Sequence, residues 1–356
     1  MILLLSFDVR RQGGIERLTL QVKRSLERQG ELVVLLCPQR LGPGALGRQL
    51  GRLRFLLALT WWTPKAAHIL CMHALMLRPV LWLRQLQRKK QPLHCWLHGI
   101  EVWGSALNQV EGSLQQCSGL IASSSFTRNQ VLESAEKRMP ISHVVHPMAD
   151  LIDASQEVQP LPQELRLLTV ARMDAAERYK GHRLVLEALR QLKEKGALPE
   201  GWQWRVVGTG NDRPAIEQLG EDWGLTPWVD FLGSLSDAEL ERELRTCSLL
   251  LMPSSFEIGK DGKAYGEGFG IVYLEAAQAG RASIACKLGG QSDLIADGLT
   301  GWLINPDASD LAALLLDLHN RPTDLAAAGN RARERALNQF SQAAFDQDLA
   351  TALRSC

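Results

Sequence analysis

Acidic side chains are scarce in the first hundred positions. Four Asp/Glu stand there against sixteen Lys/Arg, a formal charge of +12, and the remainder of the chain carries −11. The overall value of +1 hides this asymmetry. A basic half beside an acidic half points to an anionic partner for the first: a membrane surface, an acidic acceptor or nucleic acid. No signature of a nucleic-acid-binding module accompanies the charge, so no nucleic-acid partner is expected. Cysteine is sparse too. Cys37, Cys71, Cys95, Cys117, Cys247, Cys286 and Cys356 are scattered, odd in number and without C-x-x-C spacing. That argues against a disulfide framework or a zinc site and for a reducing, cytoplasmic setting. No run approaches the roughly 20 apolar residues that span a bilayer. Met1–Leu5, followed by Asp8, Arg10 and Arg11, is too short for a signal peptide and reads as a buried strand.

What is present fits a globular chain of 356 residues, 46% hydrophobic and 22% charged, long enough for two domains. Short apolar runs alternate with amphipathic segments, the pattern of parallel α/β layers. In the first half the pattern predicts strands at 2–7, 32–37, 68–72, 93–97, 119–122 and 143–145, and helices at 16–28, 47–59, 76–90 and 127–136. Pro160 and Pro162, within the polar stretch 153–164, mark an expected linker. The series then restarts, with strands at 165–171, 202–207, 228–232, 249–252 and 283–285. Helices follow at 182–195, from about Pro214, at 237–246 and at 271–279. The expected domains are therefore 1–155 and 156–335, followed by a C-terminal helix, 336–356, that packs back toward the first.

The most informative segment is Glu267-Gly-Phe-Gly-Ile-Val-Tyr-Leu-Glu275. Gly268 and Gly270 suggest a turn that leads into a helix. Glu267 then lies in a loop, backbone N–H groups from Phe269, Gly270, Ile271 and Val272 open the helix, and Glu275 sits one turn in. Such N–H groups and the positive end of the helix dipole attract phosphate. A carboxylate one turn deeper can accept hydrogen bonds from sugar hydroxyls. The plainer alternative is a glycine turn before an amphipathic helix with two solvent-facing glutamates.

With these residues stand Val170-Ala-Arg172, Lys180-Gly181, Val207-Gly-Thr-Gly210, Phe231-Leu-Gly233, Pro253-Ser254 and Gly289-Gly290. Gly13-Gly14, His98-Gly99 and Ser124-Ser-Phe-Thr127 belong to the first half. Taken in order, they resemble glycosyltransferase family 4 over nearly the whole chain, most strongly from about 165 to 305. Three departures are a first domain that looks short between Pro38 and Pro64, His146-Pro-Met-Ala-Asp150 before the second half, and an extra loop at 256–266.

The resemblance implies the GT-B fold: α/β, with two Rossmann-like doubly wound domains facing a central cleft. It implies a retaining hexosyltransferase that uses a UDP- or GDP-linked sugar donor and a glycan, lipid-linked or small acceptor. Arg172 and Lys180 would hold the donor diphosphate, with Gly13, Gly14 and Gly208 close to the donor and Glu275 on the ribose. Glu267 would bind donor hydroxyls and steady positive charge at the anomeric carbon. His98 would orient the reacting sugar, with His73 a weaker candidate and Glu101 open between orienting His98 and touching the acceptor. No metal or other cofactor is expected: Asp346 and Asp348 lie about 200° apart on a helix and cannot share an ion.

Two readings from other classes are a GT-B-like binding or scaffold protein without activity and an NAD(P)-dependent oxidoreductase. The second is weakened because Arg213 stands where a third glycine would complete the dinucleotide fingerprint. The stretch from Arg48 to Lys90, with Trp61, Trp62 and Trp82 among its cations, suggests peripheral contact with an anionic membrane at its inner face.

Overall fold

The structure is a computed structural model that describes residues 1–9, 13–39 and 41–354. Arg10, Arg11 and Cys356, all part of the sequence reading, lie outside the described residues. The chain divides into two compact units.

The first opens with β1 (Ile2–Leu5), α1 (Gly14–Arg28), β2 (Val33–Leu36), α2 (Gly44–Trp62), β3 (His68–Cys71) and α3 (Leu77–Leu86). It continues with β4 (Leu93–Leu97), α4 (Ser105–Leu114), β5 (Gly119–Ala122), α5 (Ser125–Ser134) and β6 (Ser142–Val144). The strands are parallel in the order β2-β1-β3-β4-β5-β6. Continuous apolar runs such as Ile2–Leu5 and Leu93–Leu97 are buried throughout, as strands covered on both faces require.

The second unit holds β7 (Arg166–Val170), α6 (His182–Glu194), β8 (Gln203–Val207), α7 (Arg213–Asp222), β9 (Val229–Gly233), α8 (Asp237–Thr246) and β10 (Leu249–Leu251). A short hairpin, β11 (Glu257–Ile258) and β12 (Ala264–Tyr265), occupies the expected loop at 256–266, and its residues 259–264 group with the first unit. There follow α9 (Ile271–Gln278), β13 (Ala282–Cys286), β14 (Gly301–Ile304), α10 (Ala308–His319) and α11 (Pro322–Gln339). The main sheet is parallel in the order β14-β13-β10-β7-β8-β9. Strand order reverses direction between β7 and β10, and in the first sheet between β1 and β3. Those are the places where doubly wound sheets open a crevice at their C-terminal edges.

The last helix, α12 (Gln342–Arg354), belongs to the first unit. Its Phe345, Leu349 and Ala352 are buried among Leu18, Val22, Leu26 and Trp96, with the Phe345 ring 6.4 Å from that of Trp96. Asp346 receives hydrogen bonds from Arg28 and Ser25.

Several boundaries differ from the sequence reading. The division into units falls at Met148/Ala149, ahead of position 155, because Ile152 is buried in the second unit's core. The stretch 153–164 likewise lies along that unit: Asp153 O accepts from Arg245 (2.8 Å) and Gln159 O from Arg281 (2.9 Å). The expected tail helix is broken at Phe340. Ala336 and Phe340 join the second unit's core, while Phe345 and Leu349 join the first's. The expected helix 76–90 stops at Leu86 because Arg88 takes a positive φ of 53°. α4, β14 and α10 were not read. Their signals are present in Leu107, Val110 and Leu114 at helical spacing, and in the Asp307 side chain, which accepts from the N–H groups of Ser309 and Asp310. Among the described residues no helix is long and apolar enough to cross a membrane.

Buried histidines give the fold an acid limit. His68 and His94 share a hydrogen bond of 2.7 Å between ring nitrogens, and burial lowers both to a pKa of about 4. His182 is lowered to about 4, first by burial and then by Lys180. A histidine with a folded pKa below its unfolded value of roughly 6.5 protonates more readily in the unfolded chain. Its contribution is complete above about pH 6.5 and is lost as the pH falls toward 4. At pH 5 the loss is on the order of 1–2 kcal/mol per ring. A fall of several degrees in Tm between pH 7 and pH 5, reduced in His68→Gln, is the expected result in a thermal melt.

Candidate active site

In the second unit the predicted residues gather at the β7/β10 edge. Arg172 follows β7, and the chain then makes a 3-10 turn, Ala175–Lys180, that ends at Gly181. Gly181 is left-handed, with φ 87°, and opens α6. A side chain there would crowd the carbonyl of Pro253, the second residue after β10, so the Lys180 backbone is held against that strand's end.

Lys180 Nζ lies 2.6 Å from Glu267 Oε2, and both side chains are largely buried, 13% and 15% exposed. Burial alone would lower the lysine's pKa. The Glu267 carboxylate, together with Tyr179 and Glu177, more than offsets it, and Lys180 sits above its ordinary value. Arg172 Nη2 is 2.5 Å from Glu177 Oε1, with its own side chain 75% exposed. The Tyr179 phenol, pushed up to about 12 by burial, feels all four of these charges, Lys180 first. The ion pair had no counterpart in the sequence reading, which gave Lys180 and Glu267 separate tasks. Glu177 was missed entirely, and its only signal is its place five residues after Arg172.

Gly270 takes a φ of 87° at the N-terminal boundary of α9, where a side chain would press on the Tyr273 ring. The Tyr273 hydroxyl donates to Met252 O at the end of β10, which fixes the helix start against the strand. The first-turn N–H groups of α9, those of Ile271 and Val272 among them, have no acceptor within the helix. Phe269 is buried with its ring toward Phe340, so only its backbone is offered to a ligand. Glu275 is 5% exposed and engaged within the fold. Neither glutamate faces solvent, and the plainer reading of this segment is thereby removed.

Gly208 follows β8 with φ 137° and donates to Gly233 O at 2.8 Å. Arg213, in the place of the third fingerprint glycine, is the first residue of α7 and bonds Glu217 (2.6 Å) and Phe231 O (3.2 Å).

The first unit carries the remaining predicted residues. Gly13 and Gly14 open α1, with the Glu16 carboxylate folded back over Gly13. His98 follows β4, and its Nε2 lies 2.6 Å from Met72 O. A carbonyl can only accept, so Nε2 carries the proton, and in the neutral ring Nδ1 is an acceptor. Glu101 accepts from the backbone N–H groups of His98 (2.6 Å) and Gly99 (2.9 Å). It shapes the turn and does not grip the imidazole. His73, its ring 6.1 Å from that of His98, accepts from Leu75 N–H and is lowered by burial. A cavity of about 700 Å³ beside the ends of β1 and β2 is lined by Phe7, Asp8, Glu16, Arg48, Arg52 and Phe55, among others. Among the described residues no three His, Cys, Asp or Glu side chains are grouped so as to hold a metal ion.

Residues 164–321 match the family model described as glycosyl transferases group 1. This segment is similar to group 1 glycosyltransferase domains. It contains Arg172, Lys180, Gly208, Glu267 and Glu275. The putative colanic acid biosynthesis glycosyltransferase WcaL of Salmonella typhimurium is 30% identical over 193 residues, 54% of this chain and 45% of that protein. The chain thus spans about half the length of the curated relatives it matches. Among solved structures, Anabaena HepE in complex with UDP and glucose superposes with a TM-score of 0.75 at 20% identity, over 100% of this chain and 99% of that one. Sucrose-phosphate synthase from Thermosynechococcus elongatus gives 0.77 at 20% identity, over 99% and 98%. The fold around the group 1 domain is GT-B.

Proposed function

We propose that the chain is a retaining hexosyltransferase that takes its sugar from a nucleoside diphosphate, UDP or GDP, and passes it to a glycan, a lipid-linked or a small acceptor. The observation that carries this reading is the buried Lys180–Glu267 pair at the β7/β10 edge, in the same group 1 domain as the open start of α9. A lysine held charged by a neighbouring carboxylate is ready to exchange that partner for a diphosphate. Arg172, mostly exposed, adds a forked donor for phosphate oxygens. The first N–H groups of α9 supply further donors, and Glu275 accepts from ribose hydroxyls. The complexes of HepE with UDP, glucose and UDP-glucose make UDP the first nucleotide to try.

In the reaction the anomeric C–O bond to the diphosphate breaks and its electron pair leaves with the phosphate oxygen. A new C–O bond forms to the acceptor hydroxyl, whose proton passes to the departing phosphate. Negative charge grows where Lys180, Arg172 and the helix N–H groups stand, and positive charge grows at the carbon that Glu267 steadies. The chain's own cations do this work, so the reading invokes no metal. In the first unit, His98 Nδ1 would accept from a sugar hydroxyl, and the Arg48/Arg52-lined cavity would receive the acceptor.

A thermal-shift titration tests the donor half. UDP is expected to stabilise the wild type, and Lys180→Ala and Glu275→Ala are each expected to weaken binding roughly 10- to 100-fold. Equal shifts in all three proteins would count decisively against the assignment. Protection by NAD(P) without protection by UDP or GDP would favour the oxidoreductase reading.

A further inference from the structure

The helix α2 carries two opposed apolar rows. Gly47, Gly51, Phe55 and Leu59 form the row that is buried against the first unit. Leu46, Leu50, Leu53, Leu57 and Trp61 form the other, and each is 44–69% exposed. At about 100° per residue this second row spans an arc of roughly 80°, on the side of the helix turned away from the protein. A helix at a water-facing surface places polar side chains there.

The surroundings are basic. Arg54 borders the exposed row on one side, whereas Arg48 and Arg52 lie toward the buried row and line the cavity with Phe55. At its end, Lys65 Nζ stands 3.4 Å over the Trp61 ring. Gln87 donates to Thr60 O at 3.2 Å, which brings the end of α3 alongside, with exposed Trp82 and Leu86 and the run Arg88-Lys89-Lys90. From Leu32 to Ile100 the sequence contains no Asp or Glu and ten Lys/Arg. Among the described residues Arg48, Arg52, Arg54, Lys65, Lys89 and Lys90 form no ion pair.

We propose that α2 is a bilayer-docking helix: its outer row Leu46–Leu50–Leu53–Leu57–Trp61 inserts at the interface of an anionic membrane, with the flanking cations on lipid phosphates. The charge selects this occupant. A second copy would bring two basic patches face to face, which like-charge repulsion opposes. An anionic lipid surface satisfies the cations and the leucine row together, and tryptophan beside lysine suits the headgroup boundary. This inference stands apart from the transferase reading, since lipid binding is measured without turnover.

The test is flotation of the full chain with vesicles of phosphatidylcholine and phosphatidylglycerol in equal parts, compared with pure phosphatidylcholine. The wild type is expected to float with the anionic vesicles and to be released by 0.5 M NaCl. The variant L53S/L57S/W61S is expected to lose at least tenfold in bound fraction. Leu299→Ser, which alters an equally exposed leucine of the second unit, is expected to float as the wild type does. A second variant, R54Q/K89Q/K90Q, leaves the apolar row intact and is expected to weaken the preference for anionic lipid. Wild-type protein that stays in solution, or a row variant that floats as well as the wild type, overturns the proposal. So does a lipid-free dimer that the row variant dissociates, when no flotation is seen.

Discussion

Glu267→Gln is expected to lower turnover of a nucleotide sugar by about 10²- to 10³-fold, the scale seen when one preorganised electrostatic group is lost from a reacting centre. Glutamine keeps the size of the side chain and removes its charge. In the free protein that charge holds Lys180 at 2.6 Å. In the proposed reaction a diphosphate competes for the lysine, and the carboxylate turns to the developing positive carbon. The substitution therefore strikes the transition state harder than the ground state, and kcat is expected to fall with little change in the donor's KM. Steady-state release of UDP from UDP-glucose measures both constants. An unaltered kcat would remove Glu267 from the chemistry, and a rise in KM alone would make it a binding residue.

The second large effect is expected at Gly290. Its N–H donates to Glu267 O at 2.7 Å, and a methyl group in place of its hydrogen would overlap the carbonyl oxygen of Gly268. The atoms it would meet, in Gly268 and Phe269, are backbone, with no flexible side chain to give way. Gly290→Ala must push the 267–270 loop, and with it the glutamate and the start of α9. A loss of about 1–3 kcal/mol of stability is expected from such overpacking. UDP affinity is expected to fall at least tenfold. Leu288→Ala, at an exposed neighbour, serves as the control. Chemical unfolding and the UDP thermal shift separate the two effects. A Gly290→Ala protein that binds UDP as the wild type does would show that the loop's position is not what sets affinity.

Much of this arrangement was legible in the residues. Parallel strands announce themselves as unbroken apolar runs, and the glycines at 268 and 270 mark where a turn gives way to helix. Arg172 could be placed at a strand's C-terminal edge, and Lys180 ahead of the next helix, from pattern alone. Their partners could not. The pairing of Lys180 with Glu267 joins residues 87 apart in sequence, and spacing carries no information about such a contact. Glu101 illustrates the same limit: its sequence position is compatible with a ring or a backbone partner, and the turn geometry decides for the backbone. The tail was read as one helix because its apolar spacing runs almost unbroken. Phe340, with φ −115°, ends α11 and lets consecutive segments serve different cores.

The return of α12 to the first unit sets an order of events during synthesis. Leu18, Val22, Leu26 and Trp96 are made early, yet the surface that covers them, Phe345, Leu349 and Ala352, is made only after the second unit. Until then the nascent amino-terminal half must keep an oily seam open, and a messenger truncated before codon 342 would leave that seam permanently exposed to chaperones and proteases.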